Sequence, residues 1–194
     1  MTPCKCQKEK MIRRELPLRF QQACLTDFSE RVRECVRRWI ENPGDGLLLS
    51  GTAGSGKTHL AAALLREFIE RGQRCSFRRI ADLYQDLRES FRLNRSEAEI
   101  LSPLLASPRI VLDDLGSGAL TNMERYAALQ IIDLRLNSQR PTVITTNLDL
   151  EEISLKIDDR IASRLGSYMN VRLAVPDRRL DKKSQSQTRL FASA

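Results

Sequence analysis

Short apolar runs alternate along the chain with longer stretches in which apolar residues recur at helical spacing. The runs predict buried strands and the longer stretches predict amphipathic helices. We place strands near 47–49, 74–80, 109–113, 141–147 and 171–175, and helices at 26–42, 59–72, 81–91, 97–107, 121–137 and 150–165. Because strands and helices alternate, the pattern favours a parallel sheet with helices on both faces, which is the α/β class.

A glycine-rich loop joins the first predicted strand to the helix that follows it. The loop reads GTAGSGKT over 51–58 and fits the pattern G-x-x-x-x-G-K-[ST]. Its glycines allow a tight turn whose N–H groups point at a phosphate, and the helix adds its positive N-terminal end. A plain glycine turn is the alternative, and the strand before the loop and the helix after it count against that alternative. The predicted nucleotide-binding residues are Gly51, Thr52, Ala53, Gly54, Ser55, Gly56, Lys57, Thr58 and His59.

The loop and the next strand end supply candidate metal-binding and catalytic groups. Lys57 is expected to reach the β- and γ-phosphates, and the Thr58 hydroxyl to bind Mg²⁺. Asp113 lies at the carboxyl end of its strand, where open α/β sheets bind ligands, and would hold the same Mg²⁺. The adjacent Asp114 would orient an attacking water or sense the γ-phosphate. By itself the acidic pair could be a strand-ending turn, but the phosphate loop upstream favours a catalytic role.

Two further polar positions lie downstream of the acidic pair. Asn147 ends the next apolar strand, where its amide could hydrogen-bond the γ-phosphate and the attacking water, although asparagine is also common at strand ends. Arg160 and Arg164 lie four residues apart on a predicted helix, and neither has an acid N-terminal to it at helical spacing. This predicts two unpaired guanidinium groups. We expect an arginine finger that reaches the γ-phosphate of a neighbouring subunit, against the alternative of a solvated helix face.

Composition indicates the class of protein but does not identify its partner. The 194 residues suffice for one α/β domain, and a net charge of +7 with a pI near 9.5 permits a nucleic-acid partner. No run approaches the length of a membrane span, and the polar start is not a signal peptide. The five irregularly spaced cysteines predict reduced thiols and a cytoplasmic location. Cys4 and Cys6 could share a zinc ion, which needs four ligands in a structural site; unligated surface thiols are the alternative.

The two ends of the chain differ in composition from its middle. Residues 1–25 are charged, short of aromatic residues and interrupted by Pro3 and Pro17, so they predict a flexible N-terminal arm rather than a packed unit. Residues 26–180 make up the predicted ATPase domain. The polar tail 181–194 is predicted to be disordered.

Four motifs in this order resemble those of bacterial and phage replicative-helicase loaders of the DnaC/DnaI type, which are AAA+ ATPases of the initiator clade. The motifs are GTAGSGKTHL at 51–60, IVLDDLG at 110–116, TTNL at 145–148 and DRIASRL at 159–165. The resemblance covers residues 24–180 and is far more specific than any one motif. It implies an AAA+ P-loop NTPase core with a minimal C-terminal lid.

The resemblance also implies roles for single residues and a set of partners. Asn147 matches the first sensor of the family and Arg164 matches its arginine finger. Arg179 is the candidate for the second sensor, although Arg178 replaces the tyrosine expected before it. Such loaders bind ATP and Mg²⁺ between adjacent subunits, contact single-stranded DNA and grip a hexameric replicative helicase. We therefore expect self-association through ATP interfaces.

Residues 81–107 correspond to an additional helical wedge of this family. Arginines beside an aromatic side chain suit a single-stranded backbone and its stacked bases. The alternative is a solvated helix in which Glu89 and Glu97 pair with the arginines. The candidate DNA-contacting residues of the wedge are Arg88, Phe91, Arg92 and Arg95.

Three other functions share parts of this pattern. A transposition helper ATPase of the IstB type has the same core and a transposase as its partner. A small-molecule kinase would need an acceptor pocket and a lid within one subunit, which Asn147 and Arg164 fit less well. An ATP-dependent adaptor would bind ATP tightly and hardly hydrolyse it. GTP is disfavoured because no Asn-Lys-x-Asp motif occurs.

Overall fold

Within residues 4–173, which the computed structural model describes, five strands form one parallel sheet. The strands are β1 Gly46–Ser50, β2 Ser76–Arg79, β3 Ile110–Leu115, β4 Thr142–Thr146 and β5 Met169–Arg172. Their order across the sheet is β2-β3-β4-β1-β5, and every neighbouring pair is parallel. This confirms the predicted α/β class and the parallel sheet.

The helices of the described range follow the predicted pattern with two exceptions, one in the N-terminal segment and one in the last predicted helix. They are α1 Lys5–Glu15, α2 Glu30–Glu41, α3 Lys57–Glu70, α4 Ile80–Arg92, α5 Glu97–Ala106, α6 Asn122–Asn137, α7 Leu150–Lys156 and α8 Asp159–Leu165. The prediction of a single helix over 150–165 is wrong, because this segment forms two helices, α7 and α8. The Asp158 side chain accepts a hydrogen bond from the amide of Arg160 at 2.8 Å and starts the second helix as its N-cap.

Alternate residues of β1, an interior strand, point to opposite faces of the sheet. Leu47 and Leu49 join an apolar cluster with α2 and α3, whereas Leu48 joins a second cluster with α4, α5 and α6. All three leucines are fully buried. Because helices cover both faces, the central strands need apolar side chains at every position, which explains their unbroken apolar runs.

The N-terminal segment packs against the domain, where its composition predicts an unpacked arm. Ile12 of α1 is buried, and Leu16 and Ala23 are buried in the same cluster as α2 and α3. Lys8 Nζ also donates a hydrogen bond to the carbonyl oxygen of Glu70 at the end of α3. The prediction of an unpacked segment is therefore wrong here. A few apolar side chains on one side of a charged helix are enough to dock it.

The carboxyl ends of β1, β3 and β4 lie side by side at one end of the sheet. Ser50 pairs with Thr146 across β1 and β4, and Leu115 pairs with Thr146 across β3 and β4. Between Leu112 and Leu115 the β3–β4 register shifts, so an irregularity falls on the acidic pair at 113–114. The loops that follow these strands therefore converge on one side of the sheet.

Three of the sequence predictions lie outside the described residues. They are the minimal C-terminal lid, the disordered tail at 181–194 and the second-sensor candidate Arg179. Across residues 4–173, none of the helices combines the length and the apolar character needed to cross a bilayer.

Candidate functional site

The phosphate loop connects the carboxyl end of β1 to the first turn of α3. Gly51, Gly54 and Gly56 have φ values of +143°, +78° and +99°, which residues with a Cβ rarely adopt. At Gly51 a Cβ would also lie 2.4 Å from the carbonyl oxygen of Leu173. Gly56 is the N-cap of α3, so the loop ends at the positive pole of that helix. This arrangement suits phosphate oxygens.

Lys57 is the first residue of α3, and its ammonium group is held inside the loop. Nζ donates hydrogen bonds to the carbonyl oxygens of Gly51 at 2.8 Å and Thr52 at 2.7 Å. The side chain is only 7 % exposed, so a positive charge is fixed beside the loop. Ser55 Oγ is buried in the same loop and has no hydrogen-bond partner among residues 4–173. The loop thus offers both a cation and an unsatisfied hydroxyl to an anion.

Asp113 and Thr58, which are predicted to share a metal ion, are joined by a side-chain hydrogen bond. Asp113 is 4 % exposed, and this burial raises the pKa of its carboxyl group above the ordinary value. Hydrogen bonds from Thr145 and Thr58 act in the opposite direction, and the charge of Asp114 raises the pKa further. A carboxylate and a hydroxyl are the oxygen ligands that Mg²⁺ prefers, and a bound dication would favour the ionised carboxylate.

Asp114 and Asn147 lie at the ends of the adjacent strands β3 and β4. The Asn147 Nδ2 donates to Asp114 Oδ1 over 3.4 Å, which is a long hydrogen bond. The φ of Asp114 is +68°, in the left-handed region, and its amide donates to Thr145 Oγ1 at 2.8 Å. The structure therefore brings the predicted catalytic carboxylate within reach of the predicted sensor.

These groups line a single cleft of about 710 Å³, a volume typical of small-molecule sites. Its walls include Ala53, Gly54 and Lys57 on the loop side, and Asp113 and Asn147 on the strand side. The cleft lies outside the carboxyl ends of the strands, where open parallel sheets bind ligands.

His59 connects the phosphate loop to the N-terminal segment. Its Nε2 is 2.7 Å from Asp27 Oδ2, and its ring contacts those of Phe20 and Phe28 at centroid distances of 6.1 and 5.6 Å. The Arg19 guanidinium lies 4.5 Å from the centroid of the Phe20 ring. His59 lines the cleft, as predicted, together with Phe20 and Asp27. The sequence reasoning missed Phe20 because it treated residues 1–25 as an arm, and it missed Asp27 because it placed that residue at the start of a helix.

Two further polar residues of the cleft were not predicted. Arg79 ends β2 and pairs in register with Asp113. Its positive charge partly opposes the rise that burial causes in the pKa of the Asp113 carboxyl group. Thr145 of β4 is buried and contacts both Asp113 and Asp114. Both residues lie at or next to the carboxyl end of a strand, a position that the sequence pattern can predict. The strand register is needed to show that both belong to the cleft.

The arginines of α8 are paired, contrary to the prediction of unpaired guanidinium groups. Arg160 Nη2 lies 3.0 Å from Oδ2 of Asp158, and Arg164 Nε donates to Oδ1 of Asp133 at 2.5 Å. The helical-spacing argument missed both partners, since Asp158 is the N-cap of α8 and Asp133 belongs to α6. Within residues 4–173, the Nη atoms of Arg164 make no hydrogen bond, so its outer donors remain available.

The wedge predicted to contact DNA consists of α4, α5 and the turn between them. Phe91 is 76 % exposed and Leu93 is 61 % exposed, so both apolar side chains face solvent. Arg92 and Arg95 are also exposed. The wedge therefore presents an aromatic ring beside two cationic side chains.

Arg88 of the wedge differs from its neighbours because it forms an ion pair with the buried Glu124 at the start of α6. The alternative in which Glu89 and Glu97 pair with the wedge arginines is not observed among the described residues. Glu89 instead accepts a hydrogen bond from Gln85 Nε2 at 3.0 Å. Arg88 thus has a structural contact that the sequence pattern did not predict.

Cys4 and Cys6 lie at the start of α1, and both are exposed free thiols. Across residues 4–173, no cluster of three or more His, Cys, Asp or Glu side chains is placed to hold a metal ion. The zinc site considered from the sequence therefore has no support in the described part of the chain.

Comparison with known proteins relates the chain to a family of ATP-binding proteins and to replicative helicase loaders. Residues 19–174 match the family described as IstB-like ATP binding protein. The replicative helicase loader DnaC of Escherichia coli K12 is 33% identical over 119 residues, which are 61% of this chain and 49% of that protein. The chain thus spans about half the length of the curated relatives it matches.

Solved structures give the same relationship at the level of the fold. A crystal structure of the DnaC helicase loader has a TM-score of 0.72 and 27% identity, covering 81% of this chain and 99% of that one. The crystal structure of DnaI has a TM-score of 0.75 at 22% identity, covering 89% of this chain and 99% of that one. The predicted AAA+ P-loop fold is confirmed.

Proposed function

The chain belongs to the IstB-like ATP-binding protein family, and from that premise we propose that it is an ATP-dependent loader of a hexameric replicative helicase. In this role it binds ATP in the cleft at the sheet edge, self-associates so that each ATP lies at a subunit interface, and delivers the helicase onto single-stranded DNA in the cytoplasm. The similarity to the E. coli protein named as a replicative helicase loader supports this choice of partner.

The observation that carries the ATPase part of the proposal is the convergence of five side chains on one cleft. Lys57 and Thr58 come from the start of α3, Asp113 and Asp114 from the end of β3, and Asn147 from the end of β4. A phosphate-binding cation, an oxygen pair for a metal and a polarising carboxylate are the groups that ATP hydrolysis requires. The cleft therefore has the composition of a hydrolytic site as well as a binding site.

Thr58 and Asp113 are the residues that would hold Mg²⁺. They fit this ion because their donors are oxygens and Asp113 is buried beside the phosphate loop. When bound, Mg²⁺ would neutralise negative charge on the phosphates. Asp114, which is less buried, would accept a proton from the attacking water, and Asn147 would orient that water.

Arg164 would complete the site from a neighbouring subunit. The contact with Asp133 engages Nε alone, which leaves the Nη donors to meet a γ-phosphate. The exposed wedge surface with Phe91, Arg92 and Arg95 would contact single-stranded DNA. Arg179, beyond the described residues, would act as the second sensor.

A binding experiment with the helicase tests this function directly. The purified chain is mixed with the host's replicative helicase in the presence of ATP or ADP, and the complex is measured by size-exclusion chromatography with light scattering. We expect a complex that depends on which nucleotide is present. No association under either condition, with ATP binding intact, would reject the loader role and leave the ATPase assignment standing.

Lys57→Ala tests the ATPase assignment independently of the partner. Loss of the buried ammonium group should weaken ATP binding by at least about 30-fold, because it removes a buried charge from its anionic partner. Lys156→Ala is the matched control, since it removes an exposed lysine that pairs with Glu152 in the same helix. Equal ATP affinity in both variants would contradict the assignment of residues 51–58 as the loop that binds the phosphates of ATP.

A transposition helper is the second candidate, because the matching family is described as IstB-like. The same chromatography with a transposase in place of the helicase separates the two functions. Membership in this ATP-binding family counts against a small-molecule kinase. Tight ATP binding without measurable turnover, with or without DNA, would instead identify an ATP-dependent adaptor.

A further inference from the structure

Thr145 forms hydrogen bonds with both acidic residues at the end of β3. Its hydroxyl donates to Asp113 Oδ1 at 2.8 Å and accepts from the backbone amide of Asp114, also at 2.8 Å. The side chain is 1 % exposed, so water does not replace these contacts in the folded chain. One hydroxyl therefore uses its donor and an acceptor lone pair on adjacent residues of β3.

The first contact fixes the carboxylate of Asp113. Both side chains are buried, and the bond joins neighbouring strands of the sheet, so β4 sets the position of Oδ1. The carboxylate of Asp113 is therefore held in one orientation at the cleft that it lines together with Thr58.

The second contact fixes the backbone of Asp114. This residue has a φ of +68°, which non-glycine residues adopt rarely and which needs support from the surrounding structure. The β3–β4 register shifts over the same residues, so the ladder itself does not pair the Asp114 amide. The Thr145 hydroxyl accepts that amide hydrogen and aims the carboxylate of Asp114 away from the strand and toward Asn147.

We propose that Thr145 is the positioning residue of this ATPase site. It holds Asp113 ready for Mg²⁺ and Asp114 ready for the attacking water through one shared hydroxyl. The inference rests on the proposed function, because it assigns Thr145 to the metal and water side of the same cleft. It goes beyond that function in tying the two acidic residues to each other through β4, the strand that also carries Asn147.

A pair of substitutions isolates the hydroxyl. Thr145→Val keeps the shape of the side chain and removes the hydroxyl, whereas Thr145→Ser keeps the hydroxyl and removes a methyl group. The matched control is Thr142→Val at the opposite end of β4, where a buried threonine bonds to Arg135 Nε and to the carbonyl oxygen of Arg140. This control removes a buried hydroxyl from the same strand at a distance from the cleft.

The readout is the affinity for a non-hydrolysable ATP analogue, measured by calorimetry once with Mg²⁺ and once with EDTA. In the wild-type chain Mg²⁺ should tighten binding. In Thr145→Val most of that tightening should be lost while affinity in EDTA stays within about twofold, and single-turnover hydrolysis should fall about 10- to 100-fold, as expected for a residue that orients a metal ligand. Thr145→Ser should restore both quantities, and Thr142→Val should change neither.

Several results would overturn the inference. Thr145→Val could retain the wild-type effect of Mg²⁺, or it could lose affinity equally with Mg²⁺ and EDTA, which would show a general collapse of the cleft. Failure of Thr145→Ser to rescue would also count against the hydroxyl. If Thr145→Val does not fold, Thr145→Ala provides the same comparison. Absence of ATP binding by the wild-type chain is a different outcome, because it rejects the proposed function itself.

Discussion

The nucleotide cleft and the arginine-bearing helices α4 and α8 differ in what holds their charged groups. In the cleft, Lys57 and Asp113 are buried and bonded to the loop or to the neighbouring strand. On the helices, Arg88 and Arg164 are half-exposed and reach across to acids of a third element, α6. The contacts of Lys57 lie within the local loop, whereas the ion pairs of Arg88 and Arg164 depend on a helix that is distant along the chain.

This difference has an energetic consequence. A buried polar group that loses its partner costs the full desolvation of that group, whereas an exposed ion pair contributes only about 0–1 kcal/mol. Substitutions in the cleft should therefore have large effects, and substitutions that break the more exposed ion pairs of α8 should have small ones. Arg164 is the exception if it meets the γ-phosphate of a neighbouring subunit, because its effect then comes from the transition state.

The largest expected effect follows from Arg164→Ala. The variant should bind ATP as the wild-type chain does, and its turnover in the assembled state should fall about 1,000-fold, the loss typical of an arginine finger. Steady-state hydrolysis at high protein concentration measures it. Arg160→Ala is the matched control, because Arg160 pairs with its own helix cap through Asp158 and should be nearly silent. Equal losses in the two variants would contradict the finger.

Asp114→Asn gives the next largest effect, from the cleft side. The amide cannot accept the proton of the attacking water, so hydrolysis should fall about 100-fold while Mg²⁺-dependent ATP binding persists through Asp113. Asp149→Asn, an exposed helix cap where asparagine caps equally well, serves as the control. Mixing the Asp114 and Arg164 variants should restore part of the turnover, since some interfaces then combine two intact halves.

The same difference explains how much of the site the sequence could predict. The phosphate loop was predicted because glycines, lysine and threonine at fixed spacing dictate one local geometry between a strand and a helix. The end of β3 was predicted because apolar strands followed by acids mark the ligand edge of a parallel sheet. Neither inference needed to know which distant residues are neighbours.

The remainder needed the tertiary structure. The pairing of Arg164 with Asp133 joins helices that are separated by a strand and another helix. The role of Thr145 depends on the register of β4 against β3, which apolar patterning leaves open. The docking of the N-terminal segment depends on Ile12 and Leu16, whose contribution is hidden among many charged residues.

Asp133→Ala removes the α6 partner of Arg164 and tests what their ion pair contributes to turnover. Its effect should be smaller than that of Asp114→Asn. Loss of the Nε contact leaves Arg164 less well oriented, so turnover in the assembled state should fall about two- to fivefold, in line with an exposed pair. Alanine is the better helix former, so the loss would not arise from a weaker α6. A rise in turnover would show instead that Asp133 holds Arg164 back, and that the pair must break before the interface forms.

The smallest expected effect separates Arg92 from Arg88 on the DNA-contacting wedge. Arg92 is exposed and available, so Arg92→Ala should weaken single-stranded DNA binding and reduce the slope of log affinity against log salt by about 0.7, the value for one lost phosphate contact. Arg88→Ala should change that slope less, because Arg88 is already engaged by the buried Glu124. Fluorescence anisotropy with an oligothymidine at several salt concentrations measures both. Identical slopes in the wild-type chain and Arg92→Ala would contradict a DNA contact at Arg92 and favour the alternative of a solvated helix.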